Sequence, residues 1–177
     1  AGVFLSENLI LTAWHCVQFR DTKEIWFYDG QKYKISAVRK SSKARDLALV
    51  EVGGKGVESP TEIESDVAVG DSVFAVGSPD GEPWVLTKGV ISKIVEERFK
   101  NCPDQGEVGT EKQQYLLLDI RAFFGSSGGG VWTTRGRLAG IIVRVEVPHG
   151  SCGSPYRGEH VLWAYAVGPK ALREFLE

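Results

Sequence analysis

The sequence predicts an all-β protein, because short apolar runs recur along the chain and turn-forming residues separate them. Turn signals such as Asp29-Gly30 and Pro79-Asp80-Gly81 lie between the runs. The runs are rich in β-branched and aromatic residues and occupy residues 1–5, 9–13, 25–29, 32–38, 47–52, 71–77, 89–95, 115–120, 130–134, 140–147 and 161–167. Many short strands with little helix between them predict an antiparallel β sandwich or barrel.

One helix is predicted, at residues 169–177, where Pro169 suits the first turn. Its apolar residues share one face and are Leu172, Phe175 and Leu176. Residues 57–66 hold no sustained apolar pattern, and we interpret them as a linker between two groups of strands. The predicted division is an N-terminal unit at residues 1–66 and a C-terminal unit at residues 67–177.

The composition excludes two classes of partner. Lys and Arg number 21 against 23 Asp and Glu, a net charge of −2, whereas a nucleic-acid binder needs a clustered positive surplus. No apolar run approaches the roughly 18 residues of a membrane span, and no charged-then-apolar leader begins the sequence. The chain has no methionine, so we expect it to be a processed or trimmed form.

Two segments carry candidate catalytic side chains. His15 follows the run at residues 9–13, and Ser127 lies in the sequence Gly-Ser-Ser-Gly-Gly at residues 125–129. Glycine permits the positive φ that the turn around a nucleophile needs, and such a turn can aim N–H groups at an oxyanion. A flexible Gly/Ser turn is the alternative interpretation. The pattern G-x-S-x-G also suggests an α/β-hydrolase, but a predicted strand follows this serine where that fold requires a helix.

Asp46 is a third candidate catalytic residue, and it relates His15 to Ser127. It directly precedes the run at residues 47–52, and it follows His15 by 31 residues and precedes Ser127 by 81. The order His, Asp, Ser is one of the known chain orders of a Ser-His-Asp triad. We therefore predict a serine nucleophile, a histidine base and an orienting aspartate. His149 and His160 lie in or beside a turn-rich loop and are interpreted as solvated or structural, so no metal and no cofactor is predicted.

Several blocks resemble trypsin-like (chymotrypsin-fold) serine proteases, most closely the HtrA/DegP-type protease domain. They are LTAWHCV, RDLALVEV, VGDSVFAVGSPDGEPWVLTKGVISKI, LLLDIRAFFGSSGGGV and VLWAYAVGPKALREFL. The resemblance implies two packed antiparallel six-stranded β-barrels, with the site in the groove between them, and a polypeptide substrate. It also implies that the backbone N–H groups of Gly125 and Ser127 form the oxyanion hole.

The chain departs from the family pattern at several positions. Residue 126 is Ser, where zymogen-type trypsins carry an Asp that pairs with a newly cut N-terminus. Only two residues precede VFLSE, so we expect the first strand to be missing, and we expect no PDZ domain. Val143 replaces the Ser that supports the triad aspartate in many relatives. We therefore expect Asp46 to use backbone donors near Ala13 and Trp14.

The resemblance also assigns the substrate pocket, to Arg121, Ala122, Phe123, Val143, Arg144 and Val145. Val145 stands where many relatives have Gly, which narrows the pocket and favours a small or medium aliphatic P1 residue. Arg121 stands six residues before Ser127, where trypsins keep an Asp, so a basic P1 residue is disfavoured and an acidic one is the rival. The alternative for Arg121 is an exposed or salt-bridged strand residue.

The cysteine count is odd, so at most one internal disulfide can form. By resemblance, the loops that hold Cys102 and Cys152 border the pocket, and a disulfide between them would join these loops. Reduced cysteines in disordered loops are the alternative. We expect Cys16 to be a free, buried thiol, because its usual partner in the family falls just before Ala1. A disulfide would favour a periplasmic or secreted location.

The function predicted from the sequence is therefore a serine endopeptidase. A non-catalytic or latent protease-fold module that binds a partner protein is the alternative. A sheet edge left open by the missing strand would also favour oligomerisation.

Overall fold

The computed structural model describes residues 1–18, 24–27, 29–54, 61–98, 108–122, 124–146 and 163–177. Its strands are β1 (Val3–Phe4), β2 (Leu9–Thr12), β3 (Glu24–Trp26), β4 (Lys32–Ser42), β5 (Leu47–Val52), β6 (Ser72–Gly77), β7 (Val85–Glu97), β8 (Gln113–Asp119), β9 (Gly130–Thr133), β10 (Leu138–Glu146) and β11 (Trp163–Val167). Each of the predicted runs overlaps one of these strands, so the all-β class is confirmed. Strands β4 and β7 are longer than the sequence predicts: β4 continues through the polar residues 39–42, and β7 begins four residues earlier, at Val85.

The first five strands form an antiparallel sheet in the order β1-β2-β5-β4-β3. Strands β1, β2 and β5 carry its buried side chains, whereas β3 and β4 have only exposed and half-buried positions. Among the described residues this sheet has five strands and stays open, one strand fewer than the barrel that the resemblance implies. Successive residues of β2 belong to different clusters, Ile10 to one within the sheet and Leu11 to one shared with the barrel, so both faces of the sheet are covered near β2.

The last six strands close into a barrel in the order β10-β11-β8-β7-β6-β9. Closure occurs between β9 and β10, where Gly130 pairs with Ile141 and Trp132 pairs with Leu138. Small and branched side chains fill the interior, and Val73, Ile91 and Leu118 are completely buried there. The predicted six-stranded C-terminal barrel is therefore confirmed.

The helix α1 (Pro169–Leu176) follows β11 directly and packs between the two units. Its Leu172 shares a buried cluster with Leu11 and Leu47 of the sheet and with Ile141 of the barrel. Phe175 is buried in the same cluster. Because this second core draws on both units and on the helix, the faces of the sheet and the barrel that meet are held together by apolar contacts.

The described end of the predicted linker runs beside β10. Ile63 forms a parallel bridge with Leu138, and the carbonyl of Leu138 accepts a hydrogen bond from the Glu64 N–H at 2.8 Å. The Glu64 side chain is only 1% exposed. The segment between the units is therefore attached to the barrel. In the part of the chain that the structure describes, no helix has the length and apolar character to cross a membrane.

Candidate active site

His15 and Asp46 are brought together by the pairing of β2 with β5. Thr12 lies opposite Ala48 in this antiparallel pair, so the residues just after Thr12 lie beside those just before Leu47. His15 occupies a short 3-10 helix, Trp14–Cys16, that begins where β2 ends. Its ring Nδ1 lies 2.8 Å from Asp46 Oδ2, and the ring is 30% exposed. Nδ1 thus faces Asp46, and Nε2 is the ring nitrogen that does not contact the carboxylate.

Asp46 is held by a backbone donor as well as by the ring. Its Oδ1 accepts a hydrogen bond from the His15 N–H at 3.0 Å. We expected donors near Ala13 and Trp14, and the donor is the next residue, His15 itself. Asp46 has a φ of 56°, in the left-handed region that costs an L-residue about 1 to 2 kcal/mol. A buried carboxylate with this conformation depends on its surroundings to hold it.

The pKa of His15 is raised above its ordinary value of 6.5. Burial of the ring acts to lower it, but the hydrogen bond and the charge of Asp46, together with the neighbouring Cys16, raise it to about 10. Asp46 therefore stabilises the imidazolium form of His15. This is the form that a general base acquires when it accepts a proton.

Ser127 belongs to the barrel unit, in the turn between β8 and β9. Its carbonyl oxygen accepts a hydrogen bond from Cys16 Sγ at 3.5 Å and from the Ala1 nitrogen at 2.8 Å. These contacts place the serine beside the 3-10 helix that carries His15. Among the described residues, no hydrogen bond joins the Ser127 hydroxyl to the His15 ring.

The glycines around Ser127 allow a tight turn. Gly125 has a φ of 99°, and a Cβ there would collide with the carbonyl oxygen of Ser78. The N–H of Gly128 donates to the Ile142 carbonyl at 2.7 Å. The N–H groups of Gly125 and Ser127 donate to no partner within the described residues. These two are the N–H groups predicted to form the oxyanion hole.

The structure separates the predicted pocket residues into different environments. Ala122 is 5% exposed and belongs to the core of the barrel, and Val145 packs against the same cluster. Arg121 is exposed. Phe123 lies outside the described residues. Ala122 and Val145 therefore belong to the same apolar cluster, whereas Arg121, the residue before Ala122, is exposed.

A β-bulge in β10 decides which way the remaining pocket residues face. The pairing of β10 with β11 shifts between Ile142 and Arg144. An added residue reverses the alternation of side chains along a strand. Consequently Val145 rather than Arg144 joins Ile142 in the barrel core. Val143 is 7% exposed and packs between the units, with Ala13 and Leu11.

The cysteine predictions divide between described and undescribed residues. Cys16 is free, as expected, but it is half-buried rather than buried. Cys102, Cys152, His149 and His160 lie outside the described residues. Within the described residues no cluster of three or more His, Cys, Asp or Glu side chains is arranged to hold a metal ion.

Sequence reasoning missed the residues around the turn that presents Asp46. Gln113 Nε2 donates to the carbonyl of Arg45 at 2.9 Å and to the Tyr115 hydroxyl at 2.8 Å. Gln113 is 68 residues from Arg45 in the sequence. No local pattern indicates a contact over that separation, because it exists only once the barrel packs against the sheet.

Comparison with known proteins gives the family of the chain. The family described as "Trypsin-like peptidase domain" matches residues 1–141. A probable periplasmic serine protease do/HhoA-like of Haemophilus influenzae is 29% identical over 85% of this chain and 31% of its own length. The periplasmic serine endoprotease DegP of Salmonella typhimurium is 26% identical over 85% of this chain and 30% of its own length. The chain thus spans about a third of the length of these curated relatives.

A solved structure supports the fold. The crystal structure of an inactive mutant form of Rv3671c from M. tuberculosis superposes with a TM-score of 0.79 at 14% sequence identity. The match covers 99% of this chain and 78% of that chain. The resemblance to the HtrA/DegP type drawn from the sequence blocks is confirmed by these relatives. The chain belongs to the trypsin-like peptidase domain family.

Proposed function

We propose that this chain is a serine endopeptidase that hydrolyses peptide bonds through an acyl-enzyme. The observation that carries the proposal is the double contact between His15 and Asp46, at 2.8 Å to the ring and 3.0 Å to the backbone N–H. A histidine held in one tautomer by a buried carboxylate is the arrangement that a serine nucleophile requires. The family and the serine proteases among the relatives support the same conclusion.

In the proposed reaction, Ser127 Oγ attacks the scissile carbonyl carbon while the His15 ring accepts the hydroxyl proton. Asp46 stabilises the imidazolium that forms. The tetrahedral intermediate collapses to an acyl-enzyme as His15 returns the proton to the leaving amine. In the second step water attacks the acyl carbon while His15 accepts its proton, and His15 then returns the proton to Ser127 Oγ as the ester bond breaks and the acid leaves. One water molecule is consumed for each peptide bond, and the histidine and the serine return to their starting forms.

The oxyanion of each tetrahedral intermediate is proposed to lie between the N–H groups of Gly125 and Ser127. Their lack of partners within the described residues supports this role, since both remain available as donors. Loss of one such donor typically raises the barrier by about 3 to 4 kcal/mol. The left-handed conformation of Gly125 is part of the turn that presents the two groups.

A fluorophosphonate probe tests this function, because it reacts only with a serine in an assembled site. We expect the wild-type chain to be labelled and Ser127→Ala to remain unlabelled. Ser126→Ala is the matched control, since it removes a neighbouring hydroxyl from the same turn and should keep the labelling. Equal labelling of wild type and Ser127→Ala would assign the reactive serine elsewhere.

The proposed P1 preference is a small or medium aliphatic residue, with an acidic residue as the rival. Val145 supports the first alternative, because it is a partly buried apolar residue packed against the cluster that includes Ala122. Arg121 supports the second, because its exposed guanidinium is available to a carboxylate. A basic P1 residue is disfavoured in both cases.

Cleavage of a peptide library distinguishes these preferences. If Val145 limits the pocket, Val145→Gly should extend cleavage to larger P1 residues. If Arg121 selects an acidic residue, Arg121→Gln should remove that preference without changing cleavage after aliphatic residues. Efficient cleavage after Lys or Arg by the wild-type chain would contradict both assignments.

One observation favours a second candidate, a protease that is latent in this form. The raised pKa of His15 favours the imidazolium at neutral pH, and this form does not accept a proton. A latent enzyme would bind a partner protein that lowers the pKa of His15, so that the ring becomes neutral, or that realigns Ser127. Probe labelling at pH 7 without any partner would decide for the active enzyme.

A further inference from the structure

Residues 109–113 of the barrel unit act on the turn that carries Asp46. The carbonyl of Lys43 accepts a hydrogen bond from the Gly109 N–H at 3.0 Å, and the carbonyl of Ala44 accepts one from the Glu111 N–H at 2.9 Å. The carbonyl of Arg45 accepts one from Gln113 Nε2 at 2.9 Å. The three successive carbonyls before Asp46 therefore each accept one hydrogen bond, and the donors are alternate residues of one segment.

Gln113 differs from the other two donors because it uses its side chain. It is 4% exposed, and its amide nitrogen donates both to the Arg45 carbonyl and to the Tyr115 hydroxyl. Its Oε1 is buried and has no hydrogen-bond partner. Only the NH2 end of an amide can face a carbonyl, so the contact with Arg45 fixes the orientation and leaves the oxygen unpaired.

The Tyr115 hydroxyl continues this network. It accepts from Gln113 at 2.8 Å and donates to the Gly109 carbonyl at 3.5 Å. Burial, opposed by the Gln113 hydrogen bond, raises the pKa of Tyr115 to about 12, and the charge of Asp46 acts in the same direction as burial. The tyrosine therefore keeps its proton over the range in which an enzyme works, and the hydroxyl remains a donor.

The Arg45 carbonyl belongs to the peptide group that joins Arg45 to Asp46. Movement of this carbonyl rotates the Asp46 peptide and changes its φ, which is 56°. The Asp46 carboxylate contacts His15 at two points, the ring and the backbone N–H. A small rotation of this peptide therefore moves the carboxylate relative to both donors.

We propose that Gln113 is a positioning residue: its hydrogen bond to the Arg45 carbonyl holds Asp46 in the conformation that aligns the carboxylate with His15. The proposal rests on the proposed function of the site. Gln113 contacts the residue before Asp46 in the chain, and it acts on the proposed reaction only through Asp46.

The ion pairs of the same turn are a weaker means of holding it. Arg45 contacts Glu111 at 2.6 Å and Glu174 of α1 at 3.3 Å. The carboxylates of these two residues are 41% and 44% exposed. Exposed ion pairs contribute little, because water and salt screen them. Gln113 is the buried contact, and its loss leaves the Arg45 carbonyl without this donor.

Gln113→Met tests the proposal, because methionine has a similar length and no N–H donor. We expect kcat to fall by about 10- to 100-fold with little change in KM, as for a misplaced catalytic group. The matched control is Glu174→Gln, which removes an exposed ion pair of the same turn and should leave kcat unchanged. Equal values of kcat in wild type and Gln113→Met would overturn the proposal.

A second readout follows His15 itself. The ionisable groups that act on its ring are Asp46 and Cys16. Since Asp46 raises the pKa, misalignment of the carboxylate should lower it toward 6.5, by about one unit. Titration of the ring signals by NMR measures this change, and the chain has only three histidines to assign. A merely structural role of Gln113 would lower the melting temperature and leave this pKa unchanged.

The two readouts separate the possible failures. A wild-type chain with no peptidase activity, whose His15 pKa still falls in Gln113→Met, would reject the proposed function and retain the positioning role. If Gln113→Met does not fold, Tyr115→Phe removes one of the two partners of the amide and should shift the His15 pKa in the same direction by less. An unchanged pKa in the folded Tyr115→Phe variant would then overturn the positioning role.

Discussion

The open N-terminal sheet and the closed C-terminal barrel bury their strands to different degrees. Strands β3 and β4 contain no buried residue, whereas most of β8 is buried. In the sheet, the aromatic contact of Phe4 with Phe27, at 4.6 Å between ring centroids, covers part of the apolar face. In the barrel, side chains from all six strands fill a common interior.

This difference locates the candidate chemistry relative to the stable part of the fold. His15 and Asp46 lie at the ends of β2 and β5, two strands of the sheet that contribute to the core shared with the barrel. Ser127 comes from the barrel. The sheet therefore carries the proposed base and its orienting acid, while the barrel carries the nucleophile and holds the turn before Asp46.

The largest expected effect on kcat comes from breaking the contact of His15 with Asp46, which lies in the sheet unit, without altering the barrel. Asp46→Asn keeps the shape of the side chain but no longer holds His15 in the tautomer that accepts a proton. We expect kcat to fall by about 10⁴-fold. Steady-state kinetics on a peptide substrate measures the loss, and a circular dichroism spectrum controls for folding. A loss of less than tenfold would show that Asp46 is not the orienting acid.

A core substitution in each unit compares their contributions to stability. Ile91 is completely buried in the barrel, so Ile91→Ala should lower the free energy of unfolding by about 2 to 5 kcal/mol. Ile35 is half-buried in β4 and packs against the core of the sheet, so Ile35→Ala should cost about 1 kcal/mol. Urea denaturation measures both. Equal losses would contradict the contrast between the two units.

The pH dependence of the proposed reaction tests the roles of His15 and Asp46. The neutral His15 ring is the base, and its pKa is raised, so kcat/KM should increase with pH through a midpoint above 6.5. Below that midpoint each pH unit should change kcat/KM by about tenfold. A substrate without ionisable groups isolates the enzyme's own titration. A midpoint at or below 6.5 would contradict the observed environment of the ring.

The segment between the units offers the smallest expected effect. Glu64 is 1% exposed and accepts hydrogen bonds from Arg135 Nη2 at 2.7 Å and from Thr133 Oγ1 at 3.3 Å. Arg135→Ala should destabilise the fold by about 1 kcal/mol, because the buried carboxylate loses a donor. Arg137→Ala is the matched control: its partner, Glu62, is exposed, so the loss should be smaller.

The ion pair of Arg135 with Glu64 also predicts how the stability of the fold changes at low pH. Arg135 is the main cause that lowers the pKa of Glu64, so the pair stabilises the fold above the unfolded-state pKa of about 4.3. That contribution disappears as the pH falls through the lower folded-state pKa. The difference in stability between wild type and Arg135→Ala should therefore shrink in acid. A difference that grows as the pH falls would contradict the assignment.

Much of the fold and part of the site follow from the sequence. Alternating apolar residues and turn signals located the eleven strands found in the described residues, because burial on one face of a strand leaves a period of two. The contact of His15 with Asp46 was also predicted from the residue types and their order. The roles of His15, Asp46 and Ser127 stay predictions, as do the oxyanion donors and the pocket residues.

Only the tertiary structure decided the features that depend on distant contacts. The order β1-β2-β5-β4-β3 in the N-terminal sheet depends on which edges meet, and local patterns do not encode this. The bulge that directs Val145 into the barrel core is a shift in the pairing register of β10 with β11. The contact of Gln113 with Arg45 joins residues 68 positions apart. Side-chain periodicity reports burial within one strand, whereas each of these features arises where two elements pack.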